Sequence, residues 1–166
     1  KVMGRLLAPL AKYNLIKKAR VIQRVGAALG APLTWSTCAF WTLPRIDRIL
    51  PNAEQKQADY LARYMVLCAA TGALGRTYWG PMICQREGLI DDGSATYPAL
   101  ERVTYYGGPE GSPEQFRVRP AFNALYNFNR LIPGSRYQGR LSGDSDLEVH
   151  AFQSPEYLTH VVWTED

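Results

Sequence analysis

Pro32-Leu33-Thr34-Trp35-Ser36-Thr37-Cys38-Ala39-Phe40-Trp41 is a run of β-branched and aromatic residues without a single charge. A stretch this apolar predicts a strand buried on both faces, as in parallel α/β sheets, rather than the alternating pattern of a half-solvated strand. What flanks it agrees. Upstream, Tyr13, Ile16, Ala19, Gln23 and Ala27 recur at three- and four-residue steps and predict an amphipathic helix over 13–29 that stops at Gly30. Downstream, Pro44 and Pro51 mark a loop. Asn52 with Gln55 three positions on predicts a capping box. It opens a helix over 54–70 with Ala58, Leu61, Met65 and Cys68 on one face and Gly72 as its stop. Arg76 to Ile83 is a second short aromatic strand, and a Gly- and Asp-rich loop follows.

Further along, Pro98 to Arg102 suggests one helical turn and residues 105–115 a loop. Pro120 opens another helix, carrying Phe122, Leu125, Tyr126 and Asn129 and ending near Pro133-Gly134. Leu147 to Phe152 and Tyr157 to Thr164 alternate like antiparallel strands, with Ser154-Pro155-Glu156 as the turn. The β/α alternation predicts a parallel sheet with an antiparallel appendage. Two strands cannot close a core, and a (β/α)8 barrel needs roughly 250 residues. The expectation is therefore an α/β chain forming the last part of such a barrel over residues 1–140, with 141–166 starting an antiparallel β-domain. Its partner would be the missing N-terminal part of the barrel. A chain opening on Lys1 and ending inside a strand fits an excised piece, which alone is not expected to form a stable monomer.

Composition narrows the function. The chain has 166 residues, a net charge of +4 and 46% hydrophobic residues, values of a folded domain rather than a disordered tail. No apolar run reaches the ~18–20 residues of a membrane span. Three cysteines, Cys38, Cys68 and Cys84, lack metal-ligand spacing, and two histidines make a His-built zinc site a poor expectation. No cofactor is implied. Residues 1–30 hold seven bases and no acid, whereas the remainder holds 12 bases and 15 acids. A basic segment of this kind is most often a solvated helix face, but it also suits nucleic acid or an anionic membrane surface. Lys12, Lys17 and Lys18 interrupt any signal-peptide core. Cytoplasm and periplasm both stay open.

The stretch from Pro32 to Gly93 resembles bacterial glycoside hydrolases of the retaining (β/α)8-barrel clan. Members carry a strand of the type P-L-W-[IV]-T-E-x-x-W, then a helix E-x-x-Q-A-x-Y-L-x-R, a strand V-Y-W and a loop ending G-L-[IV]-D. The corresponding residues here are Pro32 to Trp41, then Glu54-Gln55-Lys56-Gln57-Ala58-Asp59-Tyr60-Leu61-Ala62-Arg63, Thr77-Tyr78-Trp79 and Gly88-Leu89-Ile90-Asp91. Arg119 to Leu125 is similar to the final barrel helix. The resemblance implies action on a bacterial polysaccharide or cell-surface glycan. It also places Cys38 where the clan has its nucleophilic Glu, with no carboxylate between Gly30 and Asp47. Retaining hydrolysis needs two carboxyls ~5–5.5 Å apart, so a non-catalytic carbohydrate-binding or scaffolding protein is the alternative. A basic-helix binder of nucleic acid or membrane surface is the third.

Under the barrel reading, Trp79 closes the last strand at the mouth and is the expected sugar platform. Trp41 and Trp35 flank the other strand's end, and Tyr78 adjoins them. Glu87 is the nearest loop carboxylate and a candidate catalytic group. Gln85 and Arg86 are candidate hydrogen-bond donors to sugar hydroxyls or carboxylates. Tyr105 and Tyr106 could wall a cleft. His150 and His160 are expected on the sheet surface and Trp163 in the core.

Overall fold

The computed structural model describes residues 2–31, 33–43, 51–93, 111–142 and 146–164, with side chains of the first helix described from residue 15 onward. The Pro98–Arg102 turn and the Tyr105-Tyr106 pair lie outside the described residues. Among the described residues the α-helices are α1 (Val2–Ala28), α2 (Ala53–Ala70) and α3 (Pro120–Leu131). The strands are β1 (Trp35–Ala39), β2 (Arg76–Trp79), β3 (Ile90–Asp91), β4 (Arg117–Val118), β5 (Arg136–Arg140), β6 (Leu147–Gln153) and β7 (Leu158–Thr164). They make two two-stranded sheets, β1–β2 and β3–β4, and one three-stranded sheet, β5–β6–β7.

This overturns the barrel. The chain is a small mixed α/β fold with short sheets of two and three strands, and no portion of a (β/α)8 barrel is evident among the described residues. The misreading has a physical source. Gly75 N–H donates to Thr34 O at 2.8 Å and Gly80 N–H to Ala39 O at 2.5 Å. The two bonds advance together along both strands, so α2 is the crossover of a parallel β-α-β unit. That unit is common to every α/β architecture and does not specify closure. Nor is β1 buried on both faces, since Trp35 is 52% exposed and Cys38 is exposed as well.

Two compact units divide the chain. The first comprises Lys1–Ser36, Tyr64–Thr77 and Phe128–Asp166, and the second Thr37–Arg63 and Tyr78–Asn127. The first is built on an apolar cluster of Val66, Ala70, Ile132 and Phe152, against which Phe128, Leu131, Tyr137, Val161 and Trp163 pack. The antiparallel sheet has one strand more than the expected hairpin. β5, which lies upstream of residue 141, pairs with β6 through Tyr137↔Phe152 and Arg140↔His150, with a register shift between Tyr137 and Gly139. Bursts of Gln, Gly and Arg hide β5 from a hydrophobicity pattern. β6 pairs with β7 from Leu147↔Thr164 to Gln153↔Leu158.

The helix ends follow local chemistry unevenly. Gly72 takes φ +61° after α2, the left-handed geometry that a residue with a Cβ adopts only at a cost. The expected capping box does not form. Asn52 itself sits at φ 57°, outside the extended region an N-cap needs, and the Gln55 amide donates forward to Asp59 at 3.0 Å.

In the second unit, Leu43 and Ala53 are buried with Trp41 packed against them. β3 and β4 pair antiparallel through Ile90↔Val118 and Asp91↔Arg117. Next to them a tight loop over 84–88 is closed by Cys84 N–H to Ile90 O at 3.1 Å and Gly88 N–H to Cys84 O at 3.2 Å.

Candidate functional site

The second unit brings together residues that the sequence scatters over loop, helix and strand. Trp41 stacks on Tyr60 of α2, with centroids 4.4 Å apart and planes 9° from parallel. Gln57, one helical turn before Tyr60, is fully buried. Its amide donates to Glu87 O at 3.0 Å and to Trp41 O at 3.5 Å, tying α2 to both neighbouring segments. Leu43 N–H donates to Arg86 O at 3.0 Å. The Trp41 indole nitrogen and the Gln57 amide oxygen are buried with no hydrogen-bond partner among the described residues.

Glu87 is the carboxylate at the centre of this group. Its Oε1 accepts from the Thr42 hydroxyl at 3.0 Å and its Oε2 from the Cys84 thiol at 3.3 Å. The Arg86 guanidinium lies 3.7 Å away. Burial pushes the Cys84 thiol up, so at neutral pH it stays a protonated donor rather than a nucleophile. Gln85 and Arg86 are both buried, 7% exposed each.

That loop is held by an arginine which sequence analysis did not single out. Arg119, fully buried, donates through its guanidinium to Gly88 O at 2.8 Å, Gln85 O at 2.6 Å and Cys84 O at 3.1 Å. It also faces Glu54 at 3.3 Å and Asp91 at 3.2 Å. Arg117 engages the same two acids, Glu54 Oε2 at 2.9 Å and Asp91 Oδ2 at 2.9 Å. The hydrogen bond from Arg117 holds the Glu54 carboxyl below its ordinary range despite partial burial.

These facts bear on chemistry. Glu54 and Asp91 both touch Arg117 and so lie close together, as a retaining pair must. Yet two guanidinium groups pair with both, and Glu54, its pKa lowered, has no proton to give a leaving group at neutral pH. Their arrangement is that of an ion-pair network fastening β3 and β4 to α2.

Cys38 stands exposed on β1, its sulfur 3.8 Å from the Ala39 carbonyl. β2 alternates, with Arg76 and Tyr78 exposed and Thr77 and Trp79 half-buried. The Trp79 indole nitrogen is itself buried. In the first unit, Trp35 is half exposed and the Arg76 guanidinium carbon lies 5.1 Å from the centre of its ring.

The same unit holds a second buried polar group that the sequence did not announce. His150 is 3% exposed, not on the sheet surface as expected, whereas His160 is exposed. His150 Nδ1 is 2.9 Å from the Tyr137 hydroxyl, its Nε2 is 3.3 Å from Glu148, and its ring stacks on Trp163 at 4.8 Å. Arg140 Nε meets the same Glu148 oxygen at 2.8 Å. The only sequence signal was period two: Glu148, His150 and Phe152 share one face of β6. Among the described residues no group of three or more His, Cys, Asp or Glu side chains could hold a metal ion. No described helix is long and apolar enough to cross a membrane. No protein-family model, no curated protein and no solved structure matches the chain.

Proposed function

We propose that the chain binds an oligo- or polysaccharide and does so without hydrolysing it by its own residues. The observation that carries this reading is Trp35, an indole half exposed on a strand with the Arg76 guanidinium over its ring. An exposed indole offers a flat apolar surface to the C–H face of a pyranose, and a guanidinium next to it can donate to hydroxyl or carboxylate oxygens. The resemblance of Pro32 to Gly93 to carbohydrate-active enzymes supports the ligand class through its residues, although the barrel that would accompany it is not there. Binding is favoured over hydrolysis because Glu54 and Asp91 are ion-paired and both Glu87 oxygens accept hydrogen bonds.

Calorimetric titration against neutral and uronic-acid oligosaccharides tests this. Loss of aromatic burial worth on the order of 1.5–3 kcal/mol predicts that Trp35→Ala weakens binding roughly ten- to a hundredfold. Its unfolding midpoint should hold, since the ring is half exposed. A parent chain that binds no saccharide at millimolar concentration, or a variant that binds as well as the parent, overturns the reading.

A further inference from the structure

The exposed face of α1, continued by Leu29 just past its end, is apolar and basic at once. Val21, Ile22, Val25 and Leu29 are 56%, 59%, 54% and 80% exposed. At 3.6 residues per turn these four and Lys18 fall within one arc of ~100°. Lys17 and Arg24, both exposed, line one border of the arc. On the inward side, Ala19 is buried and Arg20 Nε donates to Thr71 O at 3.0 Å, which fixes how the helix faces its own unit. Soluble proteins seldom leave a continuous apolar stripe uncovered. No acid occurs before Asp47 to offset the bases.

We infer that this face of α1 docks on an anionic lipid bilayer, the helix lying flat in the headgroup layer. Charge complementarity selects this occupant. Apolar side chains enter the acyl boundary while flanking lysines and arginines extend to lipid phosphates, the pattern of interfacial helices. A second copy of the chain would bring the same bases against one another, and like charges at close range oppose that pairing. A nucleic acid would use the bases but leave the four apolar side chains in water. The helix cannot cross the bilayer. It can lie on it. This inference is independent of carbohydrate binding.

Co-sedimentation of the 166-residue chain with two kinds of vesicle tests it, one of phosphatidylcholine and one made one-third phosphatidylglycerol. The expected result is at least ~tenfold tighter binding to the anionic vesicles, weakening as salt rises. Ile22→Asp with Val25→Asp should reduce that binding about tenfold or more. Lys17→Glu with Lys18→Glu should abolish the preference for anionic lipid. All four positions are exposed, and an unchanged thermal midpoint shows that the variants remain folded. Failure to sediment with either vesicle overturns the inference, as does equal sedimentation with both. A concentration-dependent dimer that Val25→Asp dissociates, seen without vesicle binding, assigns the face to a second copy and also overturns it.

Discussion

Arg119 ties one loop of the second unit to the acids Glu54 and Asp91. Its guanidinium is completely enclosed, and three of its hydrogen bonds end on carbonyls of one loop. Removing it takes the donor from those carbonyls, and a buried polar group left unsatisfied costs about 1–3 kcal/mol. Arg119→Met should lower stability by that amount in urea unfolding, and Arg119→Lys should recover only part, because one ammonium cannot reach three carbonyls and two carboxylates. Arg117→Met should cost far less, since that side chain is 55% exposed and solvent screens its pairs. Equal losses at the two positions would contradict this division. The cysteines separate in the same manner. Cys38 is exposed, while burial pushes the Cys68 and Cys84 thiols up. Native protein at neutral pH should therefore take up one alkylating group, at Cys38, and the other two thiols should react only after unfolding, a count that mass spectrometry reads directly.

At the scale of elements, spacing and punctuation made α2 and α3 legible, whereas α1 starts at Val2, well ahead of the expected residue 13. Period 3.6 with Gly72 beyond the last turn fixed α2, and Pro120 fixed the start of α3. Burial of the strands was not legible. The composition of 32–41 suits a fully covered strand, yet what covers a strand is set by other segments, and among the described residues β1 pairs with β2 alone. The Arg119 network was equally hidden, because Arg117 and Glu54 stand 63 residues apart and nothing local marks the pairing. Within β2 burial alternates: Tyr78 is exposed and Trp79 is the more covered. Trp79→Ala should thus lower stability, by on the order of 3 kcal/mol for a truncated aromatic, and Tyr78→Ala should change it little. In the loop, a Cβ at Gly88 would lie 2.4 Å from Cys84 N and 2.6 Å from Ile90 O. Backbone atoms cannot rotate aside. Gly88→Ala should cost about 1–3 kcal/mol by overpacking, read as a shifted urea midpoint.

Across the whole molecule, folding and proton binding are linked most clearly through the acids that face arginines. The chain's excess of bases leaves no shortage of cations to hold carboxylates in the ionised form. Glu54 shows the consequence, since the hydrogen bond and charge of Arg117, aided by Arg119, lower its pKa against the opposing effect of burial. Glu114 is lowered as well, by the Ser112 hydroxyl. A carboxyl whose folded pKa lies below its unfolded value binds fewer protons when folded. Between those two values the unfolded chain takes up the extra proton, so stability rises with pH there and is complete above the unfolded pKa, ordinarily about 4.3 for Glu. Urea midpoints should therefore stay level from neutrality down to that range and fall as acid protonates the folded carboxyls. Glu54→Gln should lower the neutral-pH plateau and flatten the acid slope together, because the amide accepts from arginine without carrying charge and has no proton to take up. The Arg117 guanidinium stays charged throughout, its own pKa raised by the same partner, so the slope is assigned to the acid. A Glu54→Gln chain whose acid slope matched the parent's would place the sensitivity elsewhere.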